Sequence, residues 1–316
     1  MTRILITGAA GFLGSHLVRY LRRERPDWEI TALDRLDEAA ALARIDPQDT
    51  RFIWHDLRAT IRPDAIGCYD LRQPFDYIVH MAAASHVTRS VKDPMGFIAD
   101  NVLGTANVLE YARSYLPKKL LYFSTDEVYG PAPEGVSFDE YSAHFPTNPY
   151  AASKAAAEAL IPAWAITYGL PLCVTHCTNA FGEGQYGEKF IPLCAAKIKR
   201  GEIVQIHSTD GVPSSRYYVH AEDIAAAVVT VLVKGGLMGG PVTGKYNISG
   251  TDELSNLDVA QRIAGLLGAE LKHELVDFVP DRPRHDQRYA ITSTRLEALG
   301  WKQRISFDEG LRRAVL

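Results

Sequence analysis

Short apolar runs alternate with amphipathic stretches through the first half of this 316-residue chain, and this alternation limits the possible folds more than any other feature. Strands are predicted for the five segments RILIT, EITALD, RFIWHD, FDYIVHMAA and KKLLYFS, with helical spacing between several of them. Strands that alternate with helices form a parallel sheet with helices on both faces. The sequence therefore predicts an α/β protein built on a doubly wound parallel sheet.

The second half of the chain has a different sequence pattern, with loops rich in Gly, Pro and Ser between short predicted strands and helices. We expect residues 1–178 to form the domain that carries the large sheet. Residues 179–316 are expected to form mainly a smaller substrate-binding lobe, with part of 217–245 returning to the larger domain.

Composition excludes several classes of protein. The 34 basic and 38 acidic residues give a net charge of −4, so no nucleic-acid partner is expected. The longest apolar helix candidate, residues 224–233, is half the length needed to cross a bilayer, so no membrane partner is expected either. The four cysteines form no CxxC pair and no metal-ligand spacing, which favours reduced thiols, a cytoplasmic location and no metal site.

The segment ITGAAGFLG follows the first predicted strand and opens the first predicted helix, which places Gly8, Gly11 and Gly14 in a GxxGxxG pattern. Glycine allows the backbone to approach a pyrophosphate, and the helix N-terminus supplies unpaired N–H groups. Strand, glycines and helix in this order predict a dinucleotide-binding Rossmann domain.

The residue after the second strand predicts which dinucleotide binds. Asp34 lies 20 residues after Gly14, where a carboxylate can bind the adenosine ribose hydroxyls and repel a 2′-phosphate. This favours NAD over NADP, although the neighbouring Arg35 could accept that phosphate. Asp56, at the end of the third strand, is a candidate for contact with the adenine.

The segment PYAASKAAAE places Tyr150 and Lys154 four residues apart at a predicted helix start, hence on one helix face. A tyrosine has an ordinary pKa of about 10, and a nearby ammonium stabilises its phenolate. Together with the glycine loop and a strand that ends in Ser124-Thr125, this pair resembles the extended short-chain dehydrogenases/reductases, whose Tyr acts as base and whose Lys holds the nicotinamide ribose.

Further segments resemble the dTDP-glucose 4,6-dehydratases within that family, over essentially the whole chain. They are AASHVTRS, STDEVYG, EKFIP, RYYVHAED, YNISG and DRPRHDQRYAI, in this order along the sequence. The chain departs from the usual pattern at Ala84, at Thr88, in RYYVHAED and in the loop 181–190. These departures lie around the sugar-nucleotide site, so they leave the nucleotide and the hexose open.

The resemblance implies a reaction in which bound NAD oxidises C4 of a nucleotide sugar, water leaves across C5 and C6, and the hydride returns to C6. It implies that Asp126 is the acid toward the C6 hydroxyl and Glu127 the base at C5. Thr125 is expected to donate to the C4 oxygen, and Tyr150 with Lys154 to remove the C4 hydroxyl proton. NAD is then expected to stay tightly bound and to be recycled within each turnover.

Two sets of binding residues follow from the glycine motif and the resemblance. The expected cofactor-binding residues are Gly8, Gly11, Phe12, Leu13, Gly14, Asp34, Asp56, Leu57, Ala82, Tyr150 and Lys154. The expected substrate-binding residues are Ser85, Asn179, Glu188, Lys189, Arg216, Asn247, Arg282 and Tyr289.

Two alternative functions stay open at this point. The first is an NAD-dependent C4 epimerase or decarboxylase of the same fold, which does not need both Asp126 and Glu127. The second is a non-catalytic nucleotide-binding protein, which needs neither these acids nor Tyr150. The resemblance also implies a homodimer that forms through helices 101–115 and 153–168.

Overall fold

The computed structural model describes residues 1–63, 69–239, 243–277 and 286–316. Its strands are β1 Thr2–Thr7, β2 Trp28–Asp34, β3 Thr50–Trp54, β4 Tyr77–His80, β5 Lys119–Phe123, β6 Leu172–Cys177, β7 Asn179–Phe181, β8 Val204–Thr209, β9 Val212–Pro213, β10 Ser215–His220, β11 Lys245–Ile248, β12 Glu253–Ser255 and β13 His273–Val276. Its α-helices are α1 Phe12–Glu24, α2 Val87–Lys92, α3 Pro94–Ile98, α4 Gly104–Ser114, α5 Pro149–Tyr168, α6 Phe190–Lys199, α7 Ala221–Lys234, α8 Asn256–Leu267, α9 Thr294–Glu297 and α10 Phe307–Val315.

The large sheet has seven strands in the order β11-β6-β5-β4-β1-β2-β3, and all its neighbouring pairs are parallel. One face packs on α1 and α7, and the other packs on α4 and α5. Because both faces are covered, every residue of β5 and of β6 is buried. The predicted doubly wound fold is confirmed.

A second, smaller core lies among α6, α8 and α10, under two three-stranded sheets of order β12-β10-β7 and β13-β8-β9. The chain then crosses back, because α7 packs against α1 and β11 pairs with β6 in the large sheet. Within the described ranges, no helix combines the length and the apolar character needed to span a bilayer.

Local capping fixes the start of α5. Asn148 accepts a hydrogen bond from the Ala151 N–H at 2.8 Å, Pro149 occupies the first helical position, and Gly169 ends the helix in the left-handed conformation. The helix therefore begins one residue before Tyr150, earlier than the predicted start at 153. This cap holds Tyr150 in the first turn, at the edge where the parallel strands end.

The helix predicted over 101–115 is two segments. A π-helical turn over Ala99–Leu103 precedes α4, and the Asn101 side chain faces inward from that turn. Asn101 bonds both backbone groups of Ala84 and donates to Ser153 Oγ at 2.8 Å. The wider turn is compatible with these tertiary contacts, which periodicity does not reveal.

Candidate active site

One cleft of about 700 Å³ runs along the carboxyl ends of β1, β2, β4, β5 and β6. In doubly wound folds this edge is where ligands bind. All nine predicted cofactor-binding residues outside the Tyr-Lys pair line it, as do four predicted substrate-binding residues and all five predicted catalytic residues. These lining residues are Gly8, Gly11, Phe12, Leu13, Gly14, Asp34, Asp56, Leu57, Ala82, Ser85, Thr125, Asp126, Glu127, Tyr150, Lys154, Asn179, Glu188 and Lys189.

The glycine loop turns tightly from β1 into α1. Gly8 has φ of +72°, and the Gly11 N–H donates to the Gly8 carbonyl at 3.1 Å. A Cβ on Gly8 would lie 2.7 Å from the Ala82 backbone, and one on Gly14 would lie 2.2 Å from the Gly8 carbonyl oxygen. The loop therefore requires glycine at both positions, and it leaves the first N–H groups of α1 open to the cleft.

Replacing Gly14 by Ala should disrupt this turn, because the added methyl meets backbone atoms that cannot rotate away. We expect a loss of about 1–3 kcal/mol of stability and a marked loss of co-purifying nicotinamide. Gly265→Ala is the matched control, since this exposed residue of α8 has open space around a Cβ and alanine favours a helix. Thermal unfolding and nicotinamide content measure both effects, and unchanged values for Gly14→Ala would contradict this account.

The end of the cleft predicted to hold the adenosine is rich in carboxylates. Asp34 accepts backbone N–H bonds from Ala10 at 3.0 Å and from Leu36 at 2.9 Å, which fixes its carboxylate at the end of β2. Arg35 does not face the cleft as a free cation, because its guanidinium bonds both oxygens of Asp100 at 2.5 and 2.8 Å. Asp100 raises the pKa of Arg35 further above its ordinary value. The arrangement favours a ribose with free hydroxyls over a ribose phosphate.

The carboxylic acids after β5 lie on a short helical turn, Asp126–Tyr129. Thr125 caps this turn by accepting the Glu127 N–H at 3.3 Å, so the extended strand has ended before the two acids. Both side chains can then line the same cleft, which a continuing strand would prevent. This satisfies the geometric condition for an acid and a base that serve adjacent carbons.

The two acids have different environments. Burial, assisted by the charge of Glu127, raises the pKa of Asp126 to about 7, and Asp126 Oδ2 has no hydrogen-bond partner among the residues that the structure describes. Glu127 is half-buried, and its Oε2 accepts from Asn148 Nδ2 at 2.9 Å. Asp126 can therefore hold a proton near neutrality while Glu127 is oriented as an acceptor.

The raised pKa of Asp126 has a consequence for stability. The folded protein holds a proton that the unfolded chain releases above pH 4, so stability is lost as the pH rises from about 4 to 7. Asp126→Asn removes this ionisation and should be more stable than the wild type by about 2–4 kcal/mol at pH 8, and by less at pH 5. Urea unfolding at both pH values tests this, and an unchanged pH dependence would refute it.

Tyr150 and Lys154 lie on one face of α5 and are both buried. Lys154 Nζ donates to the Phe123 carbonyl at 2.7 Å and lies 4.2 Å from the centre of the Tyr122 ring. Burial lowers the pKa of Lys154 to about 7 and, together with the charge of Glu127, raises that of Tyr150. Tyr150 therefore needs a further positive charge in the cleft before it can act as a base.

The predicted substrate-binding residues divide into two groups. Glu188 Oε2 accepts from Arg89 at 2.8 Å and Lys189 Nζ donates to the Ser85 carbonyl at 2.9 Å, so these residues meet across the cleft. Asn179, at the start of β7, also lines the cleft.

The second group lies outside the cleft lining. Arg216 donates to the backbone carbonyls of Asp286 and Gln287, and its guanidinium stacks on the Tyr289 ring at 4.7 Å. Tyr289 bonds Asp286, and its hydroxyl lies 3.5 Å from Glu127 Oε2.

Asn247 also lies away from the predicted sugar site. It is fully buried, with its backbone N–H donated to Glu140 and its side chain turned toward Tyr129. This position makes it part of the core and leaves it no open contact with the cleft. Arg282, His285 and Cys68 lie outside the described residues.

Sequence reasoning missed three residues in or directly behind the site: Asn148, which orients Glu127, Asp100, which binds Arg35, and Glu158, which lies on the same face of α5 as Lys154. The spacing of Tyr150, Lys154 and Glu158, four residues each, could have revealed the last one. The other two form contacts only in the folded chain.

A model of the NAD dependent epimerase/dehydratase family matches residues 4–249. The chain belongs to this family. The predicted membership is thereby confirmed, and so is the NAD cofactor that it implied. A probable dTDP-glucose 4,6-dehydratase of Sinorhizobium fredii (strain NBRC 101917 / NGR234) is 39% identical over 330 residues, which cover 99% of this chain and 91% of the relative.

Solved structures of the family share the whole fold. The dTDP-glucose 4,6-dehydratase of Streptomyces venezuelae, solved with NAD, has a TM-score of 0.86 and 34% identity, covering 99% of this chain and 96% of that one. The UDP-glucose 4-epimerase of Thermus thermophilus, solved with NAD, has a TM-score of 0.87 and 30% identity, covering 99% and 98%. Because both match equally well, the overall fold does not separate a dehydratase from an epimerase.

Proposed function

We propose that this family member is a nucleotide-sugar 4,6-dehydratase, which converts an NDP-hexose, foremost dTDP-glucose, to the NDP-4-keto-6-deoxyhexose and water. One observation carries the proposal: Asp126 and Glu127 line the same cleft as Tyr150 and Lys154. An epimerase needs only the Tyr-Lys pair, since it breaks no C–O bond. The buried acid with a pKa of about 7 is the group that water loss requires.

The cleft fits a dinucleotide by its chemistry. The glycine loop, the open N-terminus of α1 and Asp34 would hold the pyrophosphate and the adenosine ribose, and Lys154 would hold the nicotinamide ribose. Bound NAD⁺ supplies a hydride acceptor and a positive charge.

The side chains then divide the remaining steps. Tyr150 takes the proton of the C4 hydroxyl, assisted by Lys154, while Thr125 donates to the C4 oxygen. Glu127 takes the C5 proton, which the C4 carbonyl has made acidic, and Asp126 gives its proton to the C6 hydroxyl, which leaves as water. Glu127 returns a proton to C5 as C6 regains the hydride. The proton that Tyr150 took and the one that Asp126 gave cancel when both groups return to their starting states through solvent, so substrate equals product plus water.

The direct test is incubation with dTDP-glucose and a panel of UDP-, GDP- and CDP-hexoses in deuterated water. Loss of one water with deuterium at C5, read by mass and NMR, identifies the reaction and the nucleotide. An unchanged mass with inverted C4 would identify an epimerase instead.

We also propose that the protein forms a homodimer through the paired helices of residues 101–115 and 153–168, and that it works in the cytoplasm. Three apolar side chains on these segments are exposed, namely Leu103, Ile166 and Tyr168. Burial of such surface favours association. The three described cysteines are free, as a reducing compartment would keep them.

Replacing Ile166 by Glu should weaken this dimer, because a charge would be buried in the contact. We expect a shift toward the monomer in light scattering coupled to size exclusion. Ile203→Glu, at an exposed position before β8, is the matched control and should leave the mass unchanged. A wild type that is monomeric at every concentration would refute the dimer.

A further inference from the structure

A buried polar cluster lies behind the cleft, formed by Tyr129, Glu158, His176 and Asn247, and here called the His176 cluster. His176 Nε2 lies 2.8 Å from Glu158 Oε2, and its Nδ1 lies 3.1 Å from the Tyr129 hydroxyl. That hydroxyl also lies 3.2 Å from Asn247 Oδ1. All four side chains are at most 2% exposed, so these contacts replace water and hold the groups in place.

The His176 cluster connects two parts of the active site that are remote in sequence. Tyr129 is the last residue of the turn that carries Asp126 and Glu127. Glu158 lies on α5, one turn beyond Lys154 and two beyond Tyr150. His176 on β6 bonds both, so it is a direct link between the acid-base pair and the Tyr-Lys pair.

Charge at the cluster is balanced within the protein. Lys245 Nζ lies 3.0 Å from Glu158 Oε1, and His144 Nε2 lies 3.5 Å from the same oxygen. His144, Glu158 and His176 are close enough together to share a cation, and the Lys245 ammonium places a positive charge there. A buried ion pair of this kind costs desolvation free energy and fixes geometry, which suits a positioning role.

The proposed dehydration needs such a link, because its two halves act on adjacent carbons. The Tyr-Lys pair serves C4, and Asp126 with Glu127 serves C5 and C6 of the same bound hexose. A displacement of about 1 Å between reacting groups can cost about 100-fold in rate.

We infer that His176 is a positioning residue, held by Tyr129 and Glu158, which keeps the two catalytic pairs in register so that water loss follows C4 oxidation without release of the sugar. This inference rests on the proposed dehydratase function. It assigns His176 no contact with substrate, since the ring is fully buried behind the turn and α5.

The sharpest variant is Tyr129→Phe, which removes one hydroxyl and keeps the ring in place. Substitution of Glu158 would leave Lys245 without its partner, so that variant is less suitable. Tyr111→Phe is the matched control, because Tyr111 is also a buried tyrosine with a hydrogen-bonded hydroxyl, which donates to the Leu71 carbonyl at 3.1 Å, and it does not line the cleft.

The experiment compares wild type, Tyr129→Phe and Tyr111→Phe as NAD-loaded proteins in single turnovers with the active NDP-hexose in deuterated water. Nicotinamide absorbance follows C4 oxidation, mass follows product formation and the deuterium content at C5 of recovered substrate, and the thermal midpoint is measured for each protein. For Tyr129→Phe we expect water loss to slow by about 10- to 100-fold while C4 oxidation changes little. Recovered substrate should then carry deuterium at C5 that wild-type reactions do not leave.

The outcomes distinguish a positioning role from a general loss of stability. Tyr111→Phe should lose a similar amount of stability and keep the wild-type ratio of product to exchanged substrate. Equal slowing of both steps in Tyr129→Phe, or no slowing, would overturn the positioning role. Failure of the wild type to dehydrate any NDP-hexose would overturn the proposed function itself. This outcome is distinguishable from failure of the positioning role, because it is seen in the wild type and not in a variant.

Discussion

Replacing Asp126 by Asn should stop water loss while C4 oxidation continues. Asn keeps the volume of the buried side chain but has no proton to give to the C6 hydroxyl, and a general acid contributes about 10²- to 10⁴-fold to rate. Tyr150 and Lys154 are unchanged, so the enzyme-bound nicotinamide should still become reduced, and the sugar should return to substrate only when the hydride goes back to C4. Rapid mixing with the active NDP-hexose, followed by nicotinamide absorbance and product mass, measures the two steps separately.

A control variant and a limit on the rate make the Asp126→Asn result specific. Asp308→Asn, an exposed position at the start of α10, removes one carboxylate far from the cleft and should dehydrate as the wild type does. If Asp126→Asn still forms product within tenfold of the wild-type rate, Asp126 is not the acid.

Replacing Glu127 by Gln should also stop product formation, but at a different atom. Gln cannot accept the C5 proton, so we expect a loss of about 10²- to 10⁴-fold in dehydration and no deuterium at C5 of recovered substrate. Asn148 Nδ2 now donates to Glu127 Oε2, and the glutamine carbonyl oxygen could accept the same bond. The measurement is deuterium content by NMR after incubation in deuterated water.

The pair of variants separates acid from base. Asp126→Asn retains Glu127, so its recovered substrate should gain deuterium at C5, whereas Glu127→Gln should leave C5 unlabelled. The reverse pattern would mean that the two roles are exchanged.

The features that the sequence predicted well are those set by local spacing. They are the glycine loop, the alternation of strands and helices, and the Tyr150-Lys154 pair. In each of them the residues that form the pattern lie close together in the sequence, within one helical turn or one strand. The prediction for Asp34 rests on its position at the end of the second strand, 20 residues after Gly14.

The features that were missed depend on contacts between distant residues. The bidentate bond from Arg35 to Asp100 joins positions 65 apart, and His176 meets Tyr129 from 47 residues away. Asn247 shows the opposite case, in which a polar residue in a recognisable motif is fully buried against Tyr129 and Glu140. Burial and pairing of this kind follow from tertiary packing, which no local pattern encodes.

The central claim is that one hydride moves within one sugar, from C4 to C6, in a single cleft. The most direct measurement mixes two samples of the active NDP-hexose. One carries deuterium at C4, and the other has no deuterium but is enriched in a heavier carbon isotope, so that the two can be told apart by mass. We predict that the 4-keto-6-deoxy product carries the deuterium at C6 and only in the molecule that began with it. Deuterium retained at C4, lost to solvent, or transferred between molecules would contradict the account.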